Sequence, residues 1–254
     1  MKLFFREYGE GDKNIIILHG LFGSSKNWIT NAKEISNLAK VYSVDLRNHG
    51  DSPHSDTHTI KNLIEDLKEF IIDHKISTPI LLGHSMGGLT SLYFALQYPE
   101  LINALIVVDI APKNYELNYT KEFSCFHLDI SKMESRQDID KAMSEIYPDQ
   151  FIRQFLQMNL EKKEIGYTWK LNYKVLESSR KALYYELNEN LKFTKPSLFL
   201  IGEISEYVEK SDDIKIRNFF PNSNIKIIKG AGHYLHYTHQ KEFLFLVKNF
   251  ISSI

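Results

Sequence analysis

The chain has 254 residues, of which 43% are hydrophobic and 25% are charged, as in an ordinary globular protein of one or two domains. Its 31 lysines and arginines balance 32 aspartates and glutamates, which excludes a strong electrostatic attraction to nucleic acid or to an anionic membrane. The single cysteine, Cys125, excludes an internal disulfide framework and a cysteine-based zinc site.

The N-terminal segment carries Arg6 and Glu7 where a signal peptide needs an apolar stretch. No apolar run approaches the roughly 18 residues that a membrane span requires. We therefore expect a cytoplasmic protein that binds neither membrane nor nucleic acid. The sequence does not indicate an oligomeric state.

Short apolar runs alternate with longer helical patterns along most of the chain. The runs are rich in Ile, Val and Leu, and they predict strands buried on both faces, with a further edge strand at the N-terminus. These predicted strands are Ile15–Leu18, Val41–Val44, Pro79–Leu82, Leu105–Val108, Ser197–Ile201 and Ile225–Ile228, with the edge strand at Lys2–Tyr8. Apolar residues at three- and four-residue spacing predict the helices Asn31–Lys40, Ile60–His74, Gly87–Gln97, Val208–Phe219 and Gln240–Ile251. The alternation predicts an α/β fold with a mostly parallel sheet flanked by helices.

One segment, residues 113–194, interrupts this alternation. It has no strong strand run, it reads as several helices, and it holds half of the 14 tyrosines. The strand–helix pattern stops before it and resumes after it. The sequence therefore predicts a helical cap, residues 113–194, inserted into a core formed by residues 1–112 and 195–254.

The stretch Gly83-His84-Ser85-Met86-Gly87 lies between a predicted strand and a predicted helix. A G-x-S-x-G motif in that context is typical of a nucleophile elbow, in which small residues let strand and helix approach closely around an exposed serine. We therefore expect Ser85 to be the catalytic nucleophile. The backbone N–H of Met86 then becomes one donor to the oxyanion.

A serine nucleophile needs a base beside it. His233 follows the last predicted strand, so it lies at the carboxyl edge of the sheet, where Ser85 also lies. His236 and His239 complete an H-x-x-H-x-x-H spacing that also permits a metal site. No carboxylate or cysteine accompanies them. We therefore expect His233 to be the base, and we expect neither a metal nor an organic cofactor.

The acid that orients the histidine has three candidates. Asp109 ends the strand that follows Ser85 and can reach the same sheet edge. The loop after the post-cap strand offers Glu203 and Glu206 but no aspartate. Asp109 is the favoured acid, and the two glutamates stay open as alternatives.

The stretch His19-Gly20-Leu21-Phe22 follows the first buried strand and predicts an oxyanion loop. Leu21 is the favoured second N–H donor, and Phe22 is the alternative. Candidate residues for the substrate pocket are aromatic, and core packing is the alternative role of each. These pocket candidates are Phe22, Trp28, Trp169 and Tyr173.

Several motifs together resemble a known family. They are HGLFGS at His19–Ser24, DLRNHG at Asp45–Gly50, GHSMGG at Gly83–Gly88, VDIAP at Val108–Pro112 and GAGH at Gly230–His233. In these motifs the chain resembles α/β-hydrolases, and more narrowly small bacterial carboxylesterases related to mitochondrial abhydrolase-domain proteins. The resemblance implies an α/β-hydrolase fold and places the acid in the VDIAP motif, at Asp109.

The residues and the resemblance together predict a serine hydrolase that cleaves a small-molecule carboxylic ester or thioester through an acyl-enzyme on Ser85. Related chemistry on the same core stays open as an alternative, namely acyl transfer, carbon–carbon hydrolysis or cofactor-free haloperoxidation. A ligand-binding receptor on a hydrolase scaffold is the alternative from a different class.

Overall fold

The structure, a computed structural model, describes residues 1–116, 118–179, 184–186 and 188–254. The strands are β1 (Phe5–Tyr8), β2 (Asn14–Leu18), β3 (Lys40–Val44), β4 (Ile80–His84), β5 (Ala104–Val108), β6 (Leu160–Lys162), β7 (Tyr167–Trp169), β8 (Ser197–Gly202) and β9 (Ser223–Ile228). Seven of them form a sheet with the spatial order β1-β3-β2-β4-β5-β8-β9, and a separate hairpin pairs β6 with β7.

Only the N-terminal edge strand of the large sheet is antiparallel: β1 pairs with β3 in that sense, whereas each of the other neighbouring pairs is parallel. Parallel strands need crossover connections, and helices between the strands supply them. This arrangement confirms the predicted α/β-hydrolase fold. The carboxyl ends of β4, β5, β8 and β9 meet at one edge of the sheet, and the loops that leave this edge carry the candidate site.

Helices cover both faces of the sheet. Their bounds are α1 (Ile29–Ile35), α2 (Ile60–Asp73), α3 (Met86–Gln97), α4 (Thr120–Phe126), α5 (Arg136–Ser144), α6 (Gln150–Leu156), α7 (Tyr173–Ser178), α8 (Asp212–Phe219), α9 (Leu235–Thr238) and α10 (Gln240–Ser252), with single 3₁₀ turns at Ser25–Trp28, Pro99–Leu101 and Gln157–Asn159. Apolar side chains of α1 and α10 pack on one face, and those of α2 and α3 pack on the other.

Alternating strand residues serve these two layers. Ile15 and Ile17 of β2 face the α1 and α10 layer, while Ile16 and Leu18 face the layer of α2 and α3. All four side chains are fully buried. The central strand is therefore apolar at successive positions, as strands covered on both faces are.

The described part of the segment between β5 and β8 holds the helices α4, α5, α6 and α7. The sequence did not predict its antiparallel hairpin, which pairs Leu160 with Trp169 and Lys162 with Tyr167. The strands have three residues each, too short for a period-two pattern to stand out. Gly166 has a φ of +65° in the turn, a conformation that glycine adopts most readily.

Helix α1 differs from its prediction in extent, and strand β9 differs from its prediction in burial. Helix α1 ends at Ile35 and does not reach Lys40, because a turn at Ser36–Leu38 leads into β3. Strand β9 is an edge strand, so Ile227 is 65% exposed where burial was expected.

None of the helices in the described residues combines the length and apolar character that crossing a membrane requires.

Candidate active site

Ser85 occupies the sharp turn between β4 and α3. Its backbone angles, φ +52° and ψ −117°, lie outside the regions that L-residues favour. A Cβ at Gly83 would overlap the carbonyl oxygen of Gly87, and a Cβ at Gly87 would overlap the carbonyl oxygen of Leu18. Glycine at both positions is therefore what lets the strand and helix come together beneath Ser85.

Asp109 and His233 meet at the same edge of the sheet. The Asp109 carboxylate is fully buried, and its Oδ2 lies 2.7 Å from Nδ1 of His233. Two further groups also donate to this carboxylate: the N–H of Gly202, at the end of β8, to Oδ1 at 2.9 Å, and the hydroxyl of Ser205, in the loop after β8, to Oδ2. With all these partners, the carboxylate is fixed as the acceptor for an Nδ1–H of His233.

The two glutamates that competed with Asp109 have other surroundings. Glu203 is exposed, and its carboxylate accepts a hydrogen bond from the Gly230 N–H at 2.8 Å. Glu206 is also exposed. The structure thus places only Asp109, of the three candidates, in contact with His233.

The ring of His233 packs against an aromatic side chain that the sequence did not single out. Tyr207 stacks on it with a centroid separation of 3.6 Å and an interplanar angle of 12°. The Tyr207 hydroxyl lies 3.0 Å from the hydroxyl of Tyr119. His84 also contacts this loop, since its Nε2 lies 2.9 Å from the carbonyl oxygen of His233. Of these two tyrosines, only Tyr119 lies in the tyrosine-rich segment 113–194.

His84 and His236 lie together behind His233. Their ring centroids are 4.3 Å apart, and both rings are buried. Burial lowers the pKa of His84 well below its ordinary value and lowers the pKa of His236 to about 3, with a further lowering of both by neighbouring histidines. Both rings are therefore neutral at neutral pH.

His19 fixes the loop that follows β2. Its Nε2 accepts a hydrogen bond from the Leu46 N–H at 3.0 Å, so its Nδ1 carries the proton and donates to the Gly20 carbonyl at 2.8 Å. Burial lowers the pKa of His19, which keeps this neutral form. Within the described residues, the backbone N–H groups of Leu21, Phe22 and Met86 donate to no other group.

A cavity of about 20 Å³ opens over Ser85. This volume accommodates about one water molecule, so any larger substrate group must move side chains. Its wall combines the oxyanion loop, the turn around Ser85, the His233 loop and helices α4 and α6. The lining residues are Gly20, Leu21, Phe22, His84, Ser85, Tyr119, Glu122, Ile152, Phe155, Leu156, His233 and Tyr234.

The four residues predicted to line the substrate pocket lie in different parts of the structure. Phe22 lines this cavity, whereas Trp28 packs in the opposite layer, stacked on His236 at 4.5 Å. Trp169 and Tyr173 pack against Phe126, with centroid separations of 4.9 and 6.0 Å. Of these four, only Phe22 lies at the cavity, because Trp28 is buried in the core and Trp169 and Tyr173 pack against the core as partly buried rings.

Glu122 is the one acidic side chain in the wall of this cavity. Burial raises its pKa above the ordinary value of a glutamate, and Tyr147 and Lys121 oppose that shift.

The described residues contain no group of three or more His, Cys, Asp or Glu side chains able to hold a metal ion together. His239 itself contacts the Thr238 hydroxyl at 2.9 Å.

The elbow, its sheet edge and the paired carboxylate and imidazole define an α/β-hydrolase. The family described as alpha/beta hydrolase fold matches residues 13–240, and the chain belongs to that family. The chain is 32% identical over 249 residues to sn-1-specific diacylglycerol lipase ABHD11 of Mus musculus, with 94% of this chain and 80% of the relative covered. It is 31% identical to Ethanol acetyltransferase 1 of Cyberlindnera fabianii, with coverages of 87% and 74%.

A solved structure described as a marine microorganism esterase resembles the chain throughout. The two share 36% identity and a TM-score of 0.92, and the match covers 98% of this chain and 99% of the other. Fold, family and esterase relatives together make this protein an α/β-hydrolase enzyme of the esterase and lipase type. Ester hydrolysis is thus the general activity that these relatives support.

Proposed function

We propose that this protein hydrolyses carboxylic esters through a covalent acyl-enzyme on Ser85. The Ser85 oxygen attacks the ester carbonyl carbon while His233 takes the hydroxyl proton. The tetrahedral intermediate then collapses, and His233 returns that proton to the leaving alcohol. Water attacks the acyl-enzyme by the same route and releases the acid. A thioester carbonyl would meet the same nucleophile.

The 2.7 Å contact between Asp109 and His233, at the cavity that holds Ser85, carries this proposal. Asp109 accepts a hydrogen bond from the Nδ1–H of His233, which leaves Nε2 free as the base, and the charge of Asp109 stabilises the imidazolium that forms. The unengaged N–H groups of Met86 and Leu21 would bind the negative oxygen of the intermediate, with Phe22 as the alternative donor in the loop.

Residues 113–194 would serve as a cap that shapes the acyl site. Five cavity residues come from this segment, namely Tyr119, Glu122, Ile152, Phe155 and Leu156. Most of the wall they form is apolar, and its only acidic group, Glu122, has a raised pKa. Such a wall suits a short uncharged acyl chain. A cytoplasmic location stays a prediction of the sequence.

The nucleophile is tested by labelling the protein with a fluorophosphonate and mapping the modified residue. We expect the label on Ser85, and we expect Ser85→Ala to lower kcat for a nitrophenyl ester by roughly 10⁴–10⁶-fold. The exposed Ser253→Ala is a matched control that should keep wild-type activity. A label elsewhere, or more than a tenth of the activity in Ser85→Ala, would remove Ser85 from the mechanism.

Acyl transfer is the second candidate function, because one relative is named an ethanol acetyltransferase. Both reactions share the acyl-enzyme and differ in whether water or an alcohol accepts the acyl group. Product analysis with an acetyl ester in the presence of ethanol separates them. Free acid as the main product supports hydrolysis, whereas predominant formation of ethyl acetate at low ethanol concentration supports transfer.

A further inference from the structure

A groove of about 670 Å³ lies beside the small cavity over Ser85. The cavity and the groove share two wall residues, Phe155 and Tyr234, so a ligand that crosses these rings would reach from one to the other. The volume lies within the range of sites for small organic ligands. The groove is lined by Lys26, Asn27, Thr30, Asn31, Phe151, Gln154, Phe155, Met158, Tyr234, His236, Tyr237 and Gln240.

One wall of the groove is aromatic. Phe155, Tyr234, Phe151 and Tyr237 form a continuous chain of ring contacts, with successive centroids 5.3, 5.2 and 5.3 Å apart. Tyr237 is 66% exposed. Aromatic faces arranged in this way offer a platform for the C–H faces of a ligand and for hydroxyl contacts at the tyrosine tips.

The rest of the lining is mostly polar and almost uncharged. Asn31 donates to the His236 carbonyl at 2.9 Å and accepts from the Gln240 amide at 3.0 Å, so these groups hold one another in place. The Thr30 hydroxyl and the Gln154 amide make no hydrogen bond to another described residue. Lys26 is the only charged side chain in the lining. These groups suit a neutral ligand that both donates and accepts hydrogen bonds.

His236 supplies a fixed polar group in the lining of the groove. It is 6% exposed, its Nδ1 is buried without a hydrogen-bond partner among the described residues, and its ring is stacked on Trp28. A buried acceptor without a partner is less costly than a buried N–H without one, so the proton belongs on Nε2. Since Nδ1 is enclosed, Nε2–H is the ring group left to meet a ligand oxygen.

We propose that this groove binds the alcohol portion of the substrate, and that the alcohol is a neutral polyhydroxylated group. Its C–H faces would lie on the aromatic wall, and its hydroxyls would contact His236, Gln154 and Thr30. The acyl group would occupy the cavity over Ser85. This assignment rests on the proposed ester hydrolysis, because the two sites are joined by one substrate.

The kinetic test compares two esters of one acid, glyceryl monobutyrate and ethyl butyrate. We expect wild-type kcat/KM to favour the glyceryl ester. His236→Phe keeps a ring against Trp28, and Gln154→Leu changes an exposed side chain. Each should lower the glyceryl-to-ethyl ratio by roughly three- to tenfold, the effect of one neutral hydrogen bond. The matched control Gln137→Leu, exposed on α5, should keep the ratio.

The proposal is overturned if both groove variants keep the wild-type ratio, or if Gln137→Leu lowers it equally. A second readout does not need turnover: the methyl NMR signal of Met158 in Ser85→Ala, titrated with glycerol or methyl glucoside. A saturable shift that His236→Phe removes supports the groove, and no shift with either polyol overturns it.

Two further outcomes separate the alternatives. If sn-glycerol 3-phosphate shifts the Met158 signal at far lower concentration than glycerol, and Lys26→Met abolishes this, the groove is an anion site and the proposal is wrong. If Ser85→Ala retains ester hydrolysis, the proposed mechanism fails, while the polyol titration still decides the groove.

Discussion

Asp109 is held by groups from two other segments of the chain, and this gives its carboxylate a testable role. Asp109→Asn keeps the size of the side chain but offers an amide to His233, which favours the wrong tautomer. We expect kcat for a nitrophenyl ester to fall by about 10⁴-fold with little change in KM. Steady-state kinetics on the folded variant, checked by circular dichroism, measures this loss.

Glu206→Gln and Glu203→Gln are the matched controls for that experiment. Both glutamates are exposed and lie on the loop after β8, and both were the alternatives to Asp109 as the acid. Each substitution should change kcat by no more than a few-fold. If either glutamine variant proves the severe one, Asp109 is not the acid.

At the residue scale, the sequence could identify Ser85, His233 and Asp109 as candidates because a motif or a strand end marks each of them. It could not identify Tyr207 or Ser205, since their contacts to His233 and Asp109 depend on the path of the loop after β8. Contacts of this kind leave no local periodicity or motif. The roles assigned to the three candidates stay predictions until the variants are measured.

The elbow is the element that depends most on the absence of a side chain. Gly87→Ala would place a methyl group onto the Leu18 carbonyl, and backbone cannot yield as a flexible side chain can. We expect the free energy of unfolding to fall by about 2 kcal/mol or more, as overpacked sites do. Urea denaturation measures the change.

Gly232→Ala provides the control for the elbow, because a Cβ at that position meets nothing within 4 Å. Its free energy of unfolding should stay within roughly 0.5 kcal/mol of the wild-type value. Equal destabilisation of the two variants would show that loss of glycine itself, and not the close approach at Gly87, determines the result.

Helix α6 contributes Ile152 to the wall of the cavity over Ser85. Ile152→Ala should enlarge that cavity, so the preferred acyl chain should lengthen by one or two carbons, since each accommodated methylene is worth about 1–3 kcal/mol. The profile of kcat/KM across nitrophenyl esters of increasing length measures this. Ile165→Ala, 78% exposed in the turn of the hairpin, is the control and should keep the wild-type profile.

The bounds of helices and strands were predictable where hydrophobic periodicity was strong. They were less predictable where a turn determined the end of an element. Helix α2 spans Ile60–Asp73, within one residue of the prediction, because its apolar face repeats over four turns. Helix α1 ends early because a turn at Ser36–Leu38 breaks it, although apolar residues continue. The hairpin of β6 and β7 went unpredicted because its register depends on a three-residue pairing.

For the whole molecule, strand–helix alternation was enough to predict a parallel sheet, since few topologies bury apolar strands on both faces. The edge position of β9 was not predictable, because its apolar residues read as a buried strand. The groove beside Ser85 was also not predictable from the sequence. It is built from α1, α6 and α9, and only the tertiary fold brings these elements together.

Buried histidines make the stability of the whole molecule sensitive to acid. Burial is the main cause that lowers the pKa of both His58 and His236 to about 3 in the folded protein. Their pKa in the unfolded chain is about 6.5. Between these two values the unfolded chain binds protons that the folded protein does not, so the free energy of unfolding must fall as the pH falls below about 6.5.

Replacing one of these histidines should weaken that dependence. Each contributes a slope approaching about 1.4 kcal/mol per pH unit between roughly pH 6 and pH 4, and almost none above about pH 7.5. We therefore expect His58→Phe to unfold with a shallower pH dependence, by about one proton, in urea titrations at about pH 6, 5.5 and 5. The titration at about pH 8 is the internal control, because there His58 is neutral in both states and only the packing change remains. An unchanged slope in the variant would mean that His58 is protonated in the folded protein, and that its burial does not make the fold acid-sensitive.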